Sequence, residues 1–453
     1  MTTPWLEELT EAAGARVVTD PDVLAAHARD HAPFVAAGRA ACLVRATGVE
    51  DVVGAMTVAQ RHRVPVVTRG AGSGLAGGAN AIDGCIVLDV AGMDRILSID
   101  PATRTAVVEP GVINGDLDSA AGVHGLTYAP DPASRAYSTI GGNIATNAGG
   151  ACCLKYGVTG DHVAALAVVL ADGTRIRTGT VAAKDVAGLD LTSLLVGSEG
   201  TLGVIVEATL RLLPRAHPPA TLAAFFATTE DAGRAVVAMQ TEAALSLVEL
   251  MDQATLTAVE AHARMQLDTA AGALVIAQAD TPTAAADIDR CAEVCTAHGA
   301  TDVVATGDAD EGEQLLAARR LALPALEQLG TTLLDDVGVP TPALPKLLTA
   351  ITDIAEQHGV VIGTFGHAGD GNMHPTIVFD ATDEGAVAAA QAAFAAIVRT
   401  AVALGGTVSG EHGVGTLKRS LLTELTGTAE LALMHRIKAA FDPCGILNPG
   451  KGY

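Results

Sequence analysis

The chain has 453 residues, too many for one compact core and enough for two or three domains. Its 28 basic and 51 acidic side chains leave a net charge of -23, which repels nucleic acid and anionic lipid, and its single tryptophan offers no platform for stacking bases. The same charge repels an anionic substrate at long range, so a site for one must supply its own arginine, lysine or metal.

Residues 1–37 read as a helical lead-in. The opening MTTPWLEELTEAAG is acidic and has no apolar core, which argues against a signal peptide. Seven scattered cysteines, odd in number and in no metal or cluster spacing, fit a reducing cytoplasm, with a peripheral membrane location left open. From Ala41 to about Pro214 short apolar runs alternate with glycine-rich turns. AACLVRA, VPVVTRG, GCIVLDV, TAVVEPG, AALAVVLADG and GTLGVIVEATLRLLP predict strands, with helices at VEDVVGAMTVAQRHR and GDLDSAAGVHG. After His217-Pro218-Pro219, the expected linker, Ala-rich helical stretches alternate with strands such as GALVIAQAD and TTLLDDVGVP. The apolar run Ala386 to Leu404 carries Gln391 and Arg399 and reads as a packed helix rather than a membrane span. Cys291 and Cys295, four apart on another helix, read as buried thiols. The last helix ends at Asp442-Pro443, before a Gly/Pro-rich tail.

Three glycine motifs stand out. Arg69-Gly70-Ala71-Gly72-Ser73-Gly74 follows a predicted strand, and bare backbone there can line a concavity for phosphate oxygens beside the arginine. Gly72, Gly74 and Gly77 satisfy GxGxxG, but the next segment predicts a strand and not the helix that a Rossmann fingerprint needs. Taken alone, the loop reads equally as a flexible surface turn. Pro130-Asp131 then leads into Ser138-Thr139-Ile140-Gly141-Gly142, continuing through Asn147 to Gly149, a run of small polar side chains suited to a flat polar ring. Glu199-Gly200-Thr201-Leu202-Gly203-Val204-Ile205 runs into a strand whose backbone can reach a ring edge.

Further on, His367 and His374 are seven apart, an odd spacing that would send them to opposite faces of a straight strand. The turn signal Asp370-Gly371 between them lets the chain fold back and bring both imidazoles together. Glu411-His412, between glycines, adds a carboxylate and a third imidazole. Two histidines and one glutamate make a three-ligand metal set with an open position, against the alternative of structural histidines held by backbone hydrogen bonds. In extended backbone the Glu411 and His412 side chains would point apart and serve different partners. Arg319 suits bidentate carboxylate binding, and an exposed helix arginine is the equal alternative.

These segments, in this order, resemble the vanillyl-alcohol oxidase / p-cresol methylhydroxylase flavoprotein family, in its glycolate-dehydrogenase D-subunit and D-lactate dehydrogenase branch. The likeness runs from about Arg45 to Tyr453 and includes the tail FDPCGILNPGK. It implies an α+β fold: a two-subdomain FAD-binding domain of the PCMH type over residues 38–217, an α+β substrate or cap domain with an antiparallel sheet over 218–419, and a C-terminal segment, 420–453, returning to the FAD domain. It implies noncovalent FAD, although Cys152 and Cys153 lie near, with Arg69–Gly74 on the pyrophosphate and Ser138–Gly149, Glu199–Ile205 and Asn448 along the rest. It also implies that His367, His374 and Glu411 hold a divalent metal (Zn2+, with Mn2+ or Fe2+ as alternatives), that Arg319 binds the substrate carboxylate, and that His412 is the base as hydride passes to flavin N5.

The implied reaction oxidises a small D-2-hydroxy acid. Relatives handling 2-hydroxyglutarate carry a lysine where Leu334 stands, which favours D-lactate or glycolate over that dicarboxylate. Alternatives are a D-2-hydroxyglutarate dehydrogenase, a flavin oxidase of another alcohol using O2, and a flavin-binding subunit of a larger glycolate oxidase complex. The electron acceptor is expected to be an electron-transfer protein, a cytochrome or a quinone-linked carrier, and a homodimer is the expected assembly.

Overall fold

CLVR, VVTR and IVLD are short, β-branched and apolar on both faces, the pattern of parallel strands covered on both sides. In the computed structural model, which describes residues 4–13, 16–32 and 34–453, they form one small sheet. The rest of the expected helical lead-in, Met1 to Thr3, Gly14, Ala15 and Pro33, lies outside the described residues. The sheet comprises β1 (Val17–Val18), β2 (Cys42–Arg45), β3 (Val66–Arg69) and β4 (Ile86–Asp89), in the order β1-β2-β4-β3. β4 runs parallel to both neighbours and β1 is antiparallel, so the lead-in contributes a strand as well as helices.

A second, antiparallel sheet follows from β5 (Ile96–Asp100), β6 (Thr105–Val108), β8 (Val163–Val169), β9 (Arg175–Gly179) and β10 (Val204–Arg211), in the order β5-β6-β10-β8-β9. β7 (Leu126–Thr127) and β11 (Leu213–Pro214) form a separate pair. The helix Val49–His62 buries Val52, Ala55, Met56, Val58 and Ala59 in a core shared by Val44, Val66 and Leu88 of the first sheet and Val169, Val204 and Val206 of the second.

These sheets belong to one compact unit, made of Met1–Gly149, Gly157–Arg215 and Glu411–Tyr453. The tail is tied in by backbone pairing: Val66 N–H donates to Ile446 O at 2.8 Å, and Asn448 N–H donates to Val66 O at 2.8 Å. It turns there because the helix Thr428–Phe441 stops at Asp442, whose carboxylate accepts the N–H groups of Ile446 and Leu447 at 3.0 and 2.7 Å.

The second unit, Gly150–Tyr156 with Ala216–Gly410, is built on one antiparallel sheet of eight strands. Its strands are β12 (Ala220–Phe226), β13 (Leu247–Asp252), β14 (Ala273–Ala279), β15 (Ala300–Thr306), β16 (Thr331–Leu334), β17 (Val337–Gly338), β18 (Val361–His367) and β19 (Asn372–Phe379). The order is β15-β12-β14-β13-β18-β19-β16, with β17 also on β19. One face packs Leu247, Met251, Leu274, Ile276 and Phe365 against the helices Gln253–Ala263, Ala309–Arg320 and Ala322–Glu327. The helix Glu384–Ala403 is long and apolar enough to cross a membrane by length and composition; in this fold it buries Ala390, Ala393, Phe394, Ile397, Val398 and Ala401 and lies against β19 and the helix Leu344–His358. Cys291 and Cys295 are buried thiols of the helix Ala284–Ala297, pushed up to about 11 and about 12 by burial.

Candidate active site

In the second unit the histidine motif is a β-hairpin. Register pairs His367 with Asn372 and Phe365 with His374, while β13 sets Glu249 opposite His367 and Met251 opposite Phe365. Side chains alternate along each strand, so Glu249, His367 and Asn372 form one row on a sheet face and Met251, Phe365 and His374 the next row on the same face. The two imidazoles sit edge to face with centroids 5.1 Å apart, and a ring nitrogen of each lies within 4.8 Å of the other's.

Buried carboxylates orient both rings. Glu249 Oε1 lies 2.6 Å from His367 Nδ1. Burial alone would push the Glu249 carboxyl up; the facing His367 and Arg319 charges outweigh that and hold it below the ordinary carboxylate range. His374 Nδ1 is 3.7 Å from Asp336 Oδ1, a looser contact. Asp336 is itself held by Asn372 Nδ2 and Ser409 Oγ, each donating at 2.7 Å.

Arg319 is no surface arginine. It lies in the last turn of the helix Ala309–Arg320, its side chain 13% exposed, with Cζ 4.6 Å from the Phe365 ring centroid. Its Nε stands 2.5 Å from Glu249 Oε2 in an ion pair whose N–H···O angle is too bent for a hydrogen bond. Leu334 ends β16, followed by the buried pair Asp335 and Asp336. Cys152 and Cys153 are half-buried.

In the first unit the backbone bends at Glu411 and His412, so their side chains converge, with His412 Nε2 3.6 Å from Glu411 Oε1. This corrects the expectation of divergent side chains, which assumed extended backbone. The loop they sit on is held by Glu199, whose Oε1 accepts Val414 N–H at 2.8 Å and whose Oε2 accepts Gly415 N–H at 2.7 Å. The Glu199 side chain is thus spent on the protein, and burial pushes its carboxyl up.

The glycine motifs fall around the same tail. Arg69 ends β3 and donates to Arg29 O at 2.8 Å, and residues 70–85 reach β4 with no helix between, as the strand-loop-strand reading expects. Gly72 has φ +72°, and a side chain there would collide with the Arg69 guanidinium. Ala71 and Ser73 are half-buried on the same loop, and Gly74 O accepts His31 N–H at 2.9 Å. Gly70 abuts Thr139, the N-cap of a short helix, Ile140–Thr146. The second motif, read from sequence as a run of small polar side chains, is therefore helical over Gly141 and Gly142 and leaves the helix at Asn147, two residues before Gly149. Ser138 is buried on Asn143, Pro130 O accepts Asn114 Nδ2 at 3.1 Å, and Asp131 follows, half-buried. Gly203 lies against Val168, which also pairs with Ile205 across the β8–β10 ladder.

Asn448 joins these elements. Its Nδ2 donates to Glu199 O at 2.7 Å and Gly78 O at 3.1 Å. Lys451 donates to Gly78 O at 3.0 Å and to Asn80 O, and burial pushes it down to about 8. Among the described residues Asn448 Oδ1 and Thr68 Oγ1 are buried and without a hydrogen-bond partner, and both residues border Gly200, whose added Cβ would stand 3.8 Å from Asn448 Nδ2 and 4.0 Å from Thr68 Cβ. Orphaned buried acceptors beside bare glycine backbone fit a polar cofactor that supplies the missing hydrogens. Two imidazoles flanked by carboxylates fit a borderline divalent cation.

Sequence reasoning missed Glu249, Asp336 and Thr68. One signal was readable: Glu249 is a lone charge inside the apolar run LVELM, and an uncompensated buried carboxylate is too costly to keep without partners.

Comparison with known proteins agrees with this geometry. A family model for the C-terminal domain of FAD linked oxidases matches residues 217–452, and one for an FAD binding domain matches residues 40–179. The glycolate oxidase subunit GlcD of Bacillus subtilis is 43% identical over 406 residues, covering 89% of this chain and 86% of that protein. A D-lactate dehydrogenase of Anaerostipes hadrus is 33% identical over 464 residues, covering 100% and 97%. The crystal structure of p-cresol methylhydroxylase with substrate bound shares the fold, with TM-score 0.80 at 19% identity over 99% of this chain and 96% of that one.

Proposed function

The chain belongs to the FAD-linked oxidases, and from that premise we propose that it oxidises a small D-2-hydroxy acid, D-lactate or glycolate, to the 2-keto acid, using noncovalent FAD and a divalent cation. The observation that carries this reading is one sheet face bearing two imidazoles with ring nitrogens within 4.8 Å and, beside them, a nearly buried arginine. Bound FAD supplies the acceptor for the C2 hydride, and a bound cation supplies the Lewis acidity that lowers the pKa of the substrate hydroxyl.

The chain's own residues do the rest. His367 and His374 hold the cation, with Glu411, next in the chain after Gly410, as third ligand. A Cβ on Gly410 would stand 2.8 Å from Asp336 Oδ1, so this stretch of the second unit already runs close beside the Asp336 carboxylate. Arg319 takes the substrate carboxylate, which the overall charge of -23 would otherwise repel. His412, neutral, accepts the hydroxyl proton. Thr68, Asn448 and the glycine segments cradle the cofactor. Two relatives named as glycolate oxidase subunits, from Bacillus subtilis and Escherichia coli, support a place for this chain beside partner subunits.

The test is anaerobic stopped-flow mixing with D- and L-lactate, glycolate and D-2-hydroxyglutarate. Fast flavin bleaching is expected with D-lactate or glycolate and slow bleaching with the L-isomer. Chelation should abolish bleaching while leaving the oxidised FAD spectrum intact, and Zn2+ or Mn2+ should restore it. Bleaching at full rate in chelator-treated, metal-free protein would end the metal reading.

A further inference from the structure

Glu249 stands between two groups to which different jobs have been given. It sits at 2% exposure in the middle of β13, opposite His367 across the β13–β18 ladder. Its two oxygens go to two partners, Oε1 to His367 Nδ1 at 2.6 Å and Oε2 to Arg319 Nε at 2.5 Å. The carboxylate oxygen at 2.6 Å accepts from the ring, so His367 Nδ1 carries a hydrogen and, when the ring is neutral, the lone pair is on Nε2. The same carboxylate fixes the guanidinium, whose other side rests on Phe365, the residue that also packs against the His374 ring with centroids 5.8 Å apart. His367 and Arg319 are 48 residues apart and on different elements, and Glu249 pairs with both.

We infer that Glu249 is a shared positioning residue: one buried carboxylate sets the His367 tautomer for metal binding and the Arg319 guanidinium for substrate carboxylate binding, so that metal affinity and substrate affinity depend on the same side chain. This rests on the roles proposed above for His367 and Arg319. Partners of this kind typically govern metal affinity by 10- to 100-fold.

Two variants separate the two arms. Glu249→Leu removes both contacts. Glu249→Gln keeps an oxygen that can accept the Nδ1–H of His367 but turns an amide N–H2 toward Arg319. Metal-depleted, FAD-loaded protein is titrated with Zn2+ against a chromophoric chelator, and the KM for D-lactate is measured after reloading. Glu249→Leu should bind Zn2+ on the order of 10- to 100-fold more weakly and show a raised KM. Glu249→Gln should restore Zn2+ affinity to near wild type while its KM stays raised. Flavin content and Tm are followed in both. Losses that track Tm equally in the two variants, with no split between metal and substrate, overturn the inference, as does wild-type Zn2+ affinity in Glu249→Leu. Absence of tight Zn2+ binding by the wild-type protein overturns the metal reading itself and is distinguished by that result. If Glu249→Leu fails to fold, Glu249→Ala, which also removes both contacts, takes its place with the same expected and overturning outcomes.

Discussion

Glu199→Gln probes whether the loop bearing His412 is held from inside the first unit. In the wild type both carboxylate oxygens are used, on Val414 N–H at 2.8 Å and on Gly415 N–H at 2.7 Å. A carboxamide has one acceptor oxygen, so one of these amides would face an N–H2 group instead. Leaving a buried N–H without an acceptor costs about 1–3 kcal/mol. Part of that is offset, because burial raises the Glu199 pKa and the fold bears a cost for its charge. The sign follows by linkage: a raised carboxyl pKa gives stability that is present below the ordinary value of 4.5 and is lost as pH rises through the folded value. The glutamine deficit should therefore be largest at acid pH and shrink toward neutrality. A net loss near 1 kcal/mol opens the loop about fivefold more often. Hydrogen exchange at Val414 and Gly415 should accelerate by about that factor, with FAD content unchanged because Asn448 binds the Glu199 backbone carbonyl, while flavin reduction slows only as far as the closed fraction falls. Unchanged exchange at both amides, or loss of FAD from the variant, would refute the reasoning.

His412→Ala should retain FAD and metal but lose flavin reduction by on the order of 100- to 10,000-fold, the usual worth of a general base; metal loss in this variant would make His412 a ligand instead. His374→Ala, by contrast, should lose metal along with activity, as metal analysis of the purified protein will report. Acid precipitation should release yellow FAD into the supernatant, and flavin retained in the pellet would mean a covalent tether. Asp252, half-buried at the N-cap of the helix Gln253–Ala263, has its carboxyl pushed from 3.8 up to about 6 by burial. The folded state then holds the proton longer than the unfolded state, so its contribution falls by about 3 kcal/mol as pH climbs from about 4 to about 6. Urea midpoints of Asp252→Asn should show a flatter slope across that window than wild type.

Much of the first unit was legible in the chain. Short β-branched runs between glycine and proline punctuation marked β2, β3, β4, β6, β8 and β10, because strand pattern and turn chemistry are local properties. The strand after the Gly70–Gly74 loop could be told from a helix by its own composition, which is incompatible with a Rossmann fingerprint. The His367–His374 hairpin was legible for the same reason: Asp370-Gly371 is a turn wherever it occurs between apolar strands. Helical structure at Ile140–Thr146 was not legible, since two glycines hide a helix whose N-cap hydroxyl and tertiary packing decide it.

What the sequence by itself determined, then, was the residue types, the local elements and the inventory of ligands and bases. Partnership was decided only by the tertiary structure. Glu249 meets His367 across 118 residues of chain, and Asn448 meets Glu199 across 249. Such pairs depend on which strands lie side by side and in what register, and a slip of one residue would turn Glu249 to the opposite face of the sheet. Register is set by the burial of whole faces, a cooperative property of the folded chain that no short stretch of sequence carries.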